Sequence, residues 1–185
     1  AWLGSTGFSG AAGEVALLPD GAGGIGSVLF GLGKGSHAPS LLPGKLPGVL
    51  PAGTYRFGQG FDDLPLASVA WALGAYRFTR YRKAAAEPRR LVLPPTVDGA
   101  DVARIADGVA LARDLVNTGA NDLGPAELAA AADDLARRHG ALCRVIVGDA
   151  LLADGFPLIH AVGIAATPVR APRLVDITWG DAADP

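Results

Sequence analysis

A glycine-rich segment near the start of the sequence has the spacing of a dinucleotide-binding loop. Residues 21–26 match the pattern G-x-G-x-x-G and follow a strand-like segment at 14–18. In a dinucleotide site this pattern opens a helix whose N-terminus faces the pyrophosphate. Residues 27–32 instead have the apolar pattern of a second strand, so the sequence predicts the turn of a β-hairpin. The Gly-Lys-Gly-Ser run at 33–36 lacks the full P-loop spacing and is predicted to be a loop.

A second candidate site is the basic and aromatic segment that follows a predicted helix at 66–82. Its cations alternate with tyrosine and phenylalanine rings, a combination that can neutralise and stack on a nucleic acid. The candidate contacts are Arg77, Arg80, Arg82 and Lys83. Cations are also favoured at the C-terminus of any helix. Because the formal net charge of the chain is −2, the favoured interpretation is a solvated helix end, and nucleic acid is an unlikely partner.

The side chains most often used in catalysis are few and isolated. The three histidines, His37, His139 and His160, do not form H-E-x-x-H or another metal-ligand spacing, and no G-x-S-x-G nucleophile motif occurs. His139 is expected at a helix C-terminus and His160 as a hydrogen-bonded packing residue. Cys143 begins an apolar strand and is expected to be a packed thiol. Spacing alone therefore predicts no catalytic residue and no metal ligand.

The composition excludes several classes of protein. Half of the residues are hydrophobic and 18% are charged, which allows a sizeable core and argues against disorder of the whole chain. The small negative charge excludes a globally basic nucleic-acid binder. The single cysteine excludes an internal disulfide framework and favours a reducing, cytoplasmic setting. No apolar run is long enough to cross a bilayer. The absence of methionine suggests a processed protein or a piece of a longer one.

The order of predicted helices and strands along the sequence indicates an α/β protein in three parts. Residues 1–97 are expected to form an N-terminal α/β domain, 98–118 a connector helix, and 119–185 the beginning of a second α/β domain. Apolar periodicity predicts that the connector helix buries one seam, namely Val102, Ile105, Val109, Ala112 and Val116. The next helix is expected to start at Pro125, to end at Gly140 and to bury a stripe formed by Leu128, Ala131, Ala132 and Leu135.

The last 45 or so residues alternate strand, helix and strand. The strands are predicted at 142–147, expected to be buried, and at 173–179, with a helix at 157–166 between them. A strand–helix–strand sequence with a short crossover favours a parallel pair. Two strands do not complete a covered parallel sheet, so the second sheet is expected to be unfinished.

Several segments of the sequence resemble the leucyl (cytosol) aminopeptidases in order and spacing. In the second half they are Ala-Arg-Asp-Leu-Val-Asn-Thr-Gly-Ala-Asn-Asp-Leu-Gly-Pro-Ala-Glu-Leu at 112–128, Val-Ile-Val-Gly-Asp at 145–149, Phe-Pro-Leu-Ile-His-Ala-Val-Gly at 156–163 and Ala-Pro-Arg-Leu-Val-Asp-Ile at 171–177. Upstream, residues 46–56 and 74–81 are similar to the N-terminal domain of bacterial members. The family usually has proline where this chain has Gly119, and glycine there makes the loop less pre-organised.

The resemblance implies a fold and an activity. The N-terminal part would be a macro-domain-like mixed sheet with helices, followed by the connector helix and the first units of the catalytic domain. The family's members are hexameric, cytoplasmic exopeptidases that release N-terminal residues such as leucine from peptides. Two divalent ions, zinc or manganese, activate a bridging water and stabilise the oxyanion.

The resemblance also implies that this portion of the sequence lacks the active site. The family's metal ligands come from a Gly-Lys-Gly…Asp motif and an Asn-Thr-Asp-Ala-Glu-Gly-Arg motif, and both follow the strand that corresponds to 173–179. The sequence ends before either motif, so the expected sets of catalytic and metal-binding residues and of cofactors in this chain are empty. The chain alone is expected to be inactive and to serve as an N-terminal and assembly scaffold. The alternative is a non-catalytic module that binds an ADP-ribose-type ligand at 21–35 or DNA at 77–90.

Overall fold

The computed structural model describes residues 6–34, 41–83, 87–181 and 183. The chain divides into two compact units, Ala1–Arg113 and Asp114–Pro185. Antiparallel and parallel strand pairs occur together with helices, which confirms the predicted α/β class. His37 and part of the Gly-Lys-Gly-Ser loop lie outside the described residues. Within the described residues, no helix has both the length and the apolar character needed to span a bilayer.

The glycine-rich segment forms the turn of an antiparallel hairpin, as the sequence predicts. Strands β1 (Val15–Pro19) and β2 (Ile25–Phe30) pair in antiparallel register. The Asp20 carboxylate accepts hydrogen bonds from the backbone amides of Ala22 at 2.7 Å and Gly24 at 2.9 Å. These two bonds lower the pKa of Asp20 because they stabilise its ionised form. The turn amides are therefore bonded to a side chain of the hairpin itself.

The core of the first unit lies between short helices and a two-stranded parallel sheet. The sheet pairs β3 (Gly53–Arg56) with β4 (Arg89–Val92). Helix α1 (Leu46–Val49) follows a 3₁₀ turn at Leu42–Lys45, and α2 spans Leu64–Ala75. The buried cluster and the half-buried residues packed on it are Leu46, Leu50, Trp71, Val15, Leu17, Val28, Phe30, Tyr55, Phe57 and Leu91.

Helix α2 is shorter than the sequence predicts. Its start is fixed by Asp63, whose carboxylate accepts a hydrogen bond from the Leu66 amide at 2.8 Å. It ends at Ala75 and not at residue 82, because Tyr76 adopts an extended conformation with ψ 136°. The guanidinium of Arg77 then donates to the Gly74 carbonyl at 2.8 Å. A cation thus satisfies a terminal carbonyl, and the rest of the basic segment lies outside the helix.

Helix α2 packs closely against the 3₁₀ turn through two glycines. A Cβ atom added to Gly44 would lie 2.7 Å from the Ala70 carbonyl oxygen. A Cβ atom added to Gly74 would lie well inside van der Waals contact of the Gly44 carbonyl oxygen. The glycine at position 74, the penultimate residue of α2, is thus explained by the close approach of two backbones.

Helix α3 (Gly99–Asn117) matches the predicted connector helix within one residue at either end. Its predicted apolar seam is wrong, because Val102 is the one described residue of the helix that is buried. Val109 is more than a third exposed and Val116 is 84% exposed. Periodicity identified the helix correctly, but it did not determine how much of the seam other elements cover.

The second unit begins with helix α4 (Pro125–His139), whose two ends agree with the prediction. Pro125 occupies the first turn, and Gly140 closes the helix in the left-handed conformation with φ 68°. The buried residues are Ala129 and Ala136, whereas Leu128 is 49% exposed. The predicted leucine stripe is therefore wrong. Small alanines form the buried positions of a helix that packs on both strands of the following sheet.

Strands β5 (Leu142–Val147) and β6 (Arg173–Thr178) form this sheet, with α5 (Ala150–Ala153) and α6 (Pro157–Gly163) between them. The predicted parallel pairing is wrong, because β5 and β6 are antiparallel and Val147 lies opposite Arg173. The Gly148 amide, just after β5, donates to the Pro172 carbonyl, just before β6, at 2.8 Å. The connection between the two strands therefore starts and finishes at the same end of the sheet, so β6 runs antiparallel to β5. Strand β5 is also less buried than predicted, since Ile146 is its one buried residue.

Candidate functional site

The segment that carries the strongest family resemblance forms a loop held by an arginine from far along the chain. This loop, residues 118–124, joins α3 to α4. Inside it, the Gly119 carbonyl accepts hydrogen bonds from the amides of Asp122 and Leu123 at 2.8 and 3.0 Å. Arg170, in the 3₁₀ turn Pro168–Arg170, donates to the Ala120 carbonyl at 2.6 Å. No local pattern in the sequence indicated this role of Arg170, because its partner lies 50 residues away.

Glu127 fixes the start of the helix that follows the loop. Its carboxylate accepts a hydrogen bond from the Gly124 amide at 2.9 Å. The pKa of Glu127 is lowered by hydrogen bonds from backbone amides, first its own and then that of Gly124, with a smaller contribution from the positive charges of Arg170 and Arg173. The positive end of the helix dipole favours the same charge. The sequence predicted this position of Glu127 correctly.

Replacing Glu127 with glutamine should remove a pH-dependent part of the stability of the second unit. The folded-state pKa of Glu127 lies below the ordinary pKa of a glutamate side chain, so its charge stabilises the fold above that ordinary value. This stabilisation is lost as the pH falls through the lower, folded-state pKa. The urea midpoints of the wild type and the variant should therefore differ at pH 7 and converge towards pH 3. A constant difference across this range would contradict the assignment.

The basic segment borders a groove in the first unit. The groove has a volume of about 450 Å³, and Arg77, Arg82 and Lys83 line it together with Arg89 from β4. Arg80, the fourth candidate contact from the sequence, is not among the lining residues. Arg89 lies six residues after Lys83, inside the range 77–90 of the DNA-binding alternative, although it is not one of the four candidate contacts. The structure thus brings together three of the four predicted cations.

The isolated titratable side chains do not assemble into a reaction centre. His160 is 12% exposed and its Nε2 lies 3.0 Å from Oδ1 of Asp149, whose side chain is 97% exposed. This agrees with the predicted hydrogen-bonded packing role. His139 is the last residue of α4, and its carbonyl accepts a hydrogen bond from the Trp179 indole at 3.0 Å. Cys143 lies half-buried in β5, as expected for a packed thiol.

The described residues do not fit a pair of divalent metal ions. Across residues 6–34, 41–83, 87–181 and 183, no three histidine, cysteine, aspartate or glutamate side chains converge as metal ligands would. His160 and Asp149 supply two donors, whereas a two-metal site needs several ligands around both ions. The hydrogen bonds around the 118–124 loop hold its backbone and the start of α4.

Family models match both parts of the chain. Residues 1–94 match the model described as the M17 aminopeptidase N-terminal domain. Residues 110–185 match the model of the catalytic domain of the cytosol aminopeptidase family. Residues 95–109, which neither model matches, include the first part of α3. The boundary between the two structural units, at Arg113 and Asp114, lies close to the start of the catalytic model.

Curated relatives and solved structures agree with these matches. A probable cytosol aminopeptidase of Nocardia farcinica is 36% identical over 133 residues, which are 65% of this chain and 26% of that protein. A probable cytosol aminopeptidase of Streptomyces coelicolor is 29% identical, covering 96% of this chain and 42% of that protein. The chain thus spans between about a quarter and two-fifths of the length of these relatives.

The solved structures match over almost the whole chain. The crystal structure of a cytosol aminopeptidase from Coxiella burnetii is 36% identical with a TM-score of 0.83, covering 98% of this chain and 39% of that one. The bottromycin maturation enzyme BotP, in complex with Mn, is 28% identical with a TM-score of 0.79, covering 98% of this chain and 42% of that one. Since the N-terminal model alone accounts for more than half of the residues, the chain belongs to the M17, or cytosol, aminopeptidase family.

Proposed function

We propose that this chain is the scaffold portion of an aminopeptidase that releases N-terminal residues from peptides. The observation that carries the proposal is the order of the two family domains. The N-terminal model covers 1–94, the catalytic model begins at 110, and α3 joins the two regions. We propose 1–97 as the N-terminal domain, 98–118 as the connector helix and 119–185 as the beginning of the catalytic domain.

In this proposal, peptide hydrolysis depends on catalytic-domain residues that these 185 residues do not contain. The family relatives are about two and a half to four times longer than the part of them that the chain matches. The described residues offer no cluster of side chains suited to two metal ions. When bound to the rest of the catalytic domain, two divalent ions, zinc or manganese, would supply an activated water. The role of this chain is to hold the 118–124 loop and the first sheet of that domain.

The cellular setting and the assembly of the whole protein follow from the family. We expect a cytoplasmic protein, because the relatives carry the name cytosol aminopeptidase. We expect the whole protein to be a homo-oligomer, a hexamer as in the family. Large apolar side chains of the second unit are strongly exposed, including Leu158 at 79% and Val162 at 89%. Apolar surfaces of this kind are usually covered by further polypeptide.

The 185-residue chain should show no peptidase activity on its own. The test is hydrolysis of a leucine anilide by the repurified chain with added manganese or zinc. A cytosol aminopeptidase that contains its whole catalytic domain, assayed in the same buffer, serves as the positive control. We expect turnover by the control and none by the chain. Turnover by the chain that survives repurification and disappears on chelation would contradict the proposal.

The intact mass of the natural protein gives an independent test. The 185 residues have a mass of 18.7 kDa. We expect material isolated from the source cells to be much heavier and to carry the peptidase activity. A natural protein of 18.7 kDa that copurifies with full activity would contradict the assignment of a scaffold role.

A further inference from the structure

The basic groove of the first unit has the dimensions of a ligand site. Its volume of about 450 Å³ lies within the usual range for small-molecule pockets. The groove lies between the segment after α2 and the residues that lead into β4, and Pro47 of α1 also contributes to its lining. All of its lining residues belong to the first unit.

Four cations line this groove, and none of them forms a salt bridge with another of the residues that the structure describes. Arg77, Arg82, Lys83 and Arg89 line it, and Glu87 is the one carboxylate among the lining residues. The salt bridges of the described residues all lie elsewhere in the chain. The lining therefore carries three more positive than negative charges, whereas the whole chain has a formal net charge of −2. Concentrated charge of one sign in a cleft attracts small ions of the opposite sign.

Two of the four guanidinium and ammonium groups are held in place by backbone carbonyls. Arg77 donates to the carbonyls of Gly74 and Tyr76 at 2.8 and 2.7 Å. Arg89 donates through Nε to the Leu50 carbonyl at 2.8 Å. These bonds fix the side chains without neutralising them, because a carbonyl carries no net charge. Fixed guanidinium groups lose little conformational entropy when they bind an oxyanion.

The other two cations are exposed and have no bonded partner among the described residues. Arg82 and Lys83 are consecutive lining residues in an irregular segment. The groove thus combines two arginines held by backbone carbonyls with two exposed cations whose side chains are available to bind a ligand. Arginine binds phosphate oxygens through paired N–H donors and lysine binds them as a point charge.

Part of the lining is apolar and flat. Pro47, Phe78 and Pro88 contribute to the wall. The Phe78 ring packs edge-on against Tyr81 with centroids 5.6 Å apart, so the two rings do not form a row on which successive bases of a nucleic acid stack. Arg80 also lies outside the groove. The geometry favours a compact ligand over an extended polyanion.

We infer that this groove binds a small phosphorylated molecule, with two or more phosphate charges beside a flat apolar group. The phosphates lie against the four cations, and the apolar group lies on Phe78 and the prolines. This site is separate from the aminopeptidase function proposed above and does not depend on it.

Calorimetry of the 185-residue chain with ADP, pyrophosphate and adenosine tests the inference. ADP and pyrophosphate should bind saturably, and adenosine should bind at least about tenfold more weakly, because it lacks the charged group. The double variant Arg82→Ala, Lys83→Ala should lose about tenfold or more in affinity for ADP. Both side chains are exposed, and thermal unfolding will verify that the variant folds.

Arg80→Ala is the matched control, because it removes a neighbouring cation that does not line the groove. It should leave ADP affinity unchanged. No saturable heat with ADP at millimolar concentration would overturn the inference, as would an equal loss of affinity in the control. A single-stranded oligonucleotide is the last probe. Tighter binding of the oligonucleotide than of ADP, weakened equally by Arg80→Ala, would overturn it in favour of a nucleic-acid surface.

Discussion

Replacing Gly74 with alanine should destabilise the first unit by about 3 kcal/mol. The added Cβ atom would overlap the carbonyl group of Gly44, which is backbone and lacks the freedom of a side chain to move aside. Helix α2 would have to move away from the 3₁₀ turn and from the Trp71 cluster that it helps to bury. The gain in helix propensity from alanine, about 1 kcal/mol, is too small to offset this loss.

Gly108→Ala provides the matched control for this prediction. Gly108 lies inside α3, and a Cβ atom added there would have nothing within 4 Å. The control should be neutral or more stable than the wild type, by up to about 1 kcal/mol. Urea unfolding followed by tryptophan fluorescence measures both variants; Trp71 is buried in the first unit, whereas Trp179 is 79% exposed. Equal midpoints for Gly74→Ala and the wild type would show that the close approach of the two backbones is wrong.

In the second unit, Leu151→Ala should have the largest effect of the single truncations, a loss of about 3 kcal/mol. Leu151 is 0% exposed and lies in α5, directly after the turn that ends β5. Truncation leaves a cavity that the short helix cannot fill. It also loosens the backbone at this position, where the Leu151 carbonyl accepts a hydrogen bond from the Phe156 amide at 2.7 Å. Peptides from β5 and β6 should therefore exchange their amide hydrogens faster.

The adjacent Leu152→Ala variant removes the same atoms from a side chain that is 50% exposed. We expect it to lose less than about 1 kcal/mol and to retain wild-type exchange in β5 and β6. Because both positions lie in the same short helix, helix propensity changes equally in the two variants. Similar exchange rates in both variants would contradict the burial assigned to Leu151.

Local chemistry in the sequence predicted those features whose causes are local. The Asp-Gly turn of the hairpin, the start of α4 at Pro125 and its end at Gly140 each depend on residues within a few positions of one another. Glu127 was placed correctly for the same reason. The family resemblance was carried by such short segments as well, and the family models confirmed it.

Features that depend on distant contacts were predicted less well. The antiparallel pairing of β5 and β6 depends on the hydrogen bond from Gly148 to Pro172, which periodicity does not reveal. The early end of α2 depends on the extended Tyr76, although the residues beyond it continue the helical spacing. Arg89 and Arg170 act on partners 39 and 50 residues away, so their roles became visible only in three dimensions.

The long reach of Arg170 has a consequence for the order in which the second unit acquires its structure. Closing a loop of 50 residues has an entropic cost that local turns and helices do not have. Such contacts form after local ones and slow the approach to the native state. During synthesis residues 118–124 are made before Arg170. The hydrogen bond from Arg170 to this family-specific stretch is therefore expected to form after the local hydrogen bonds inside it.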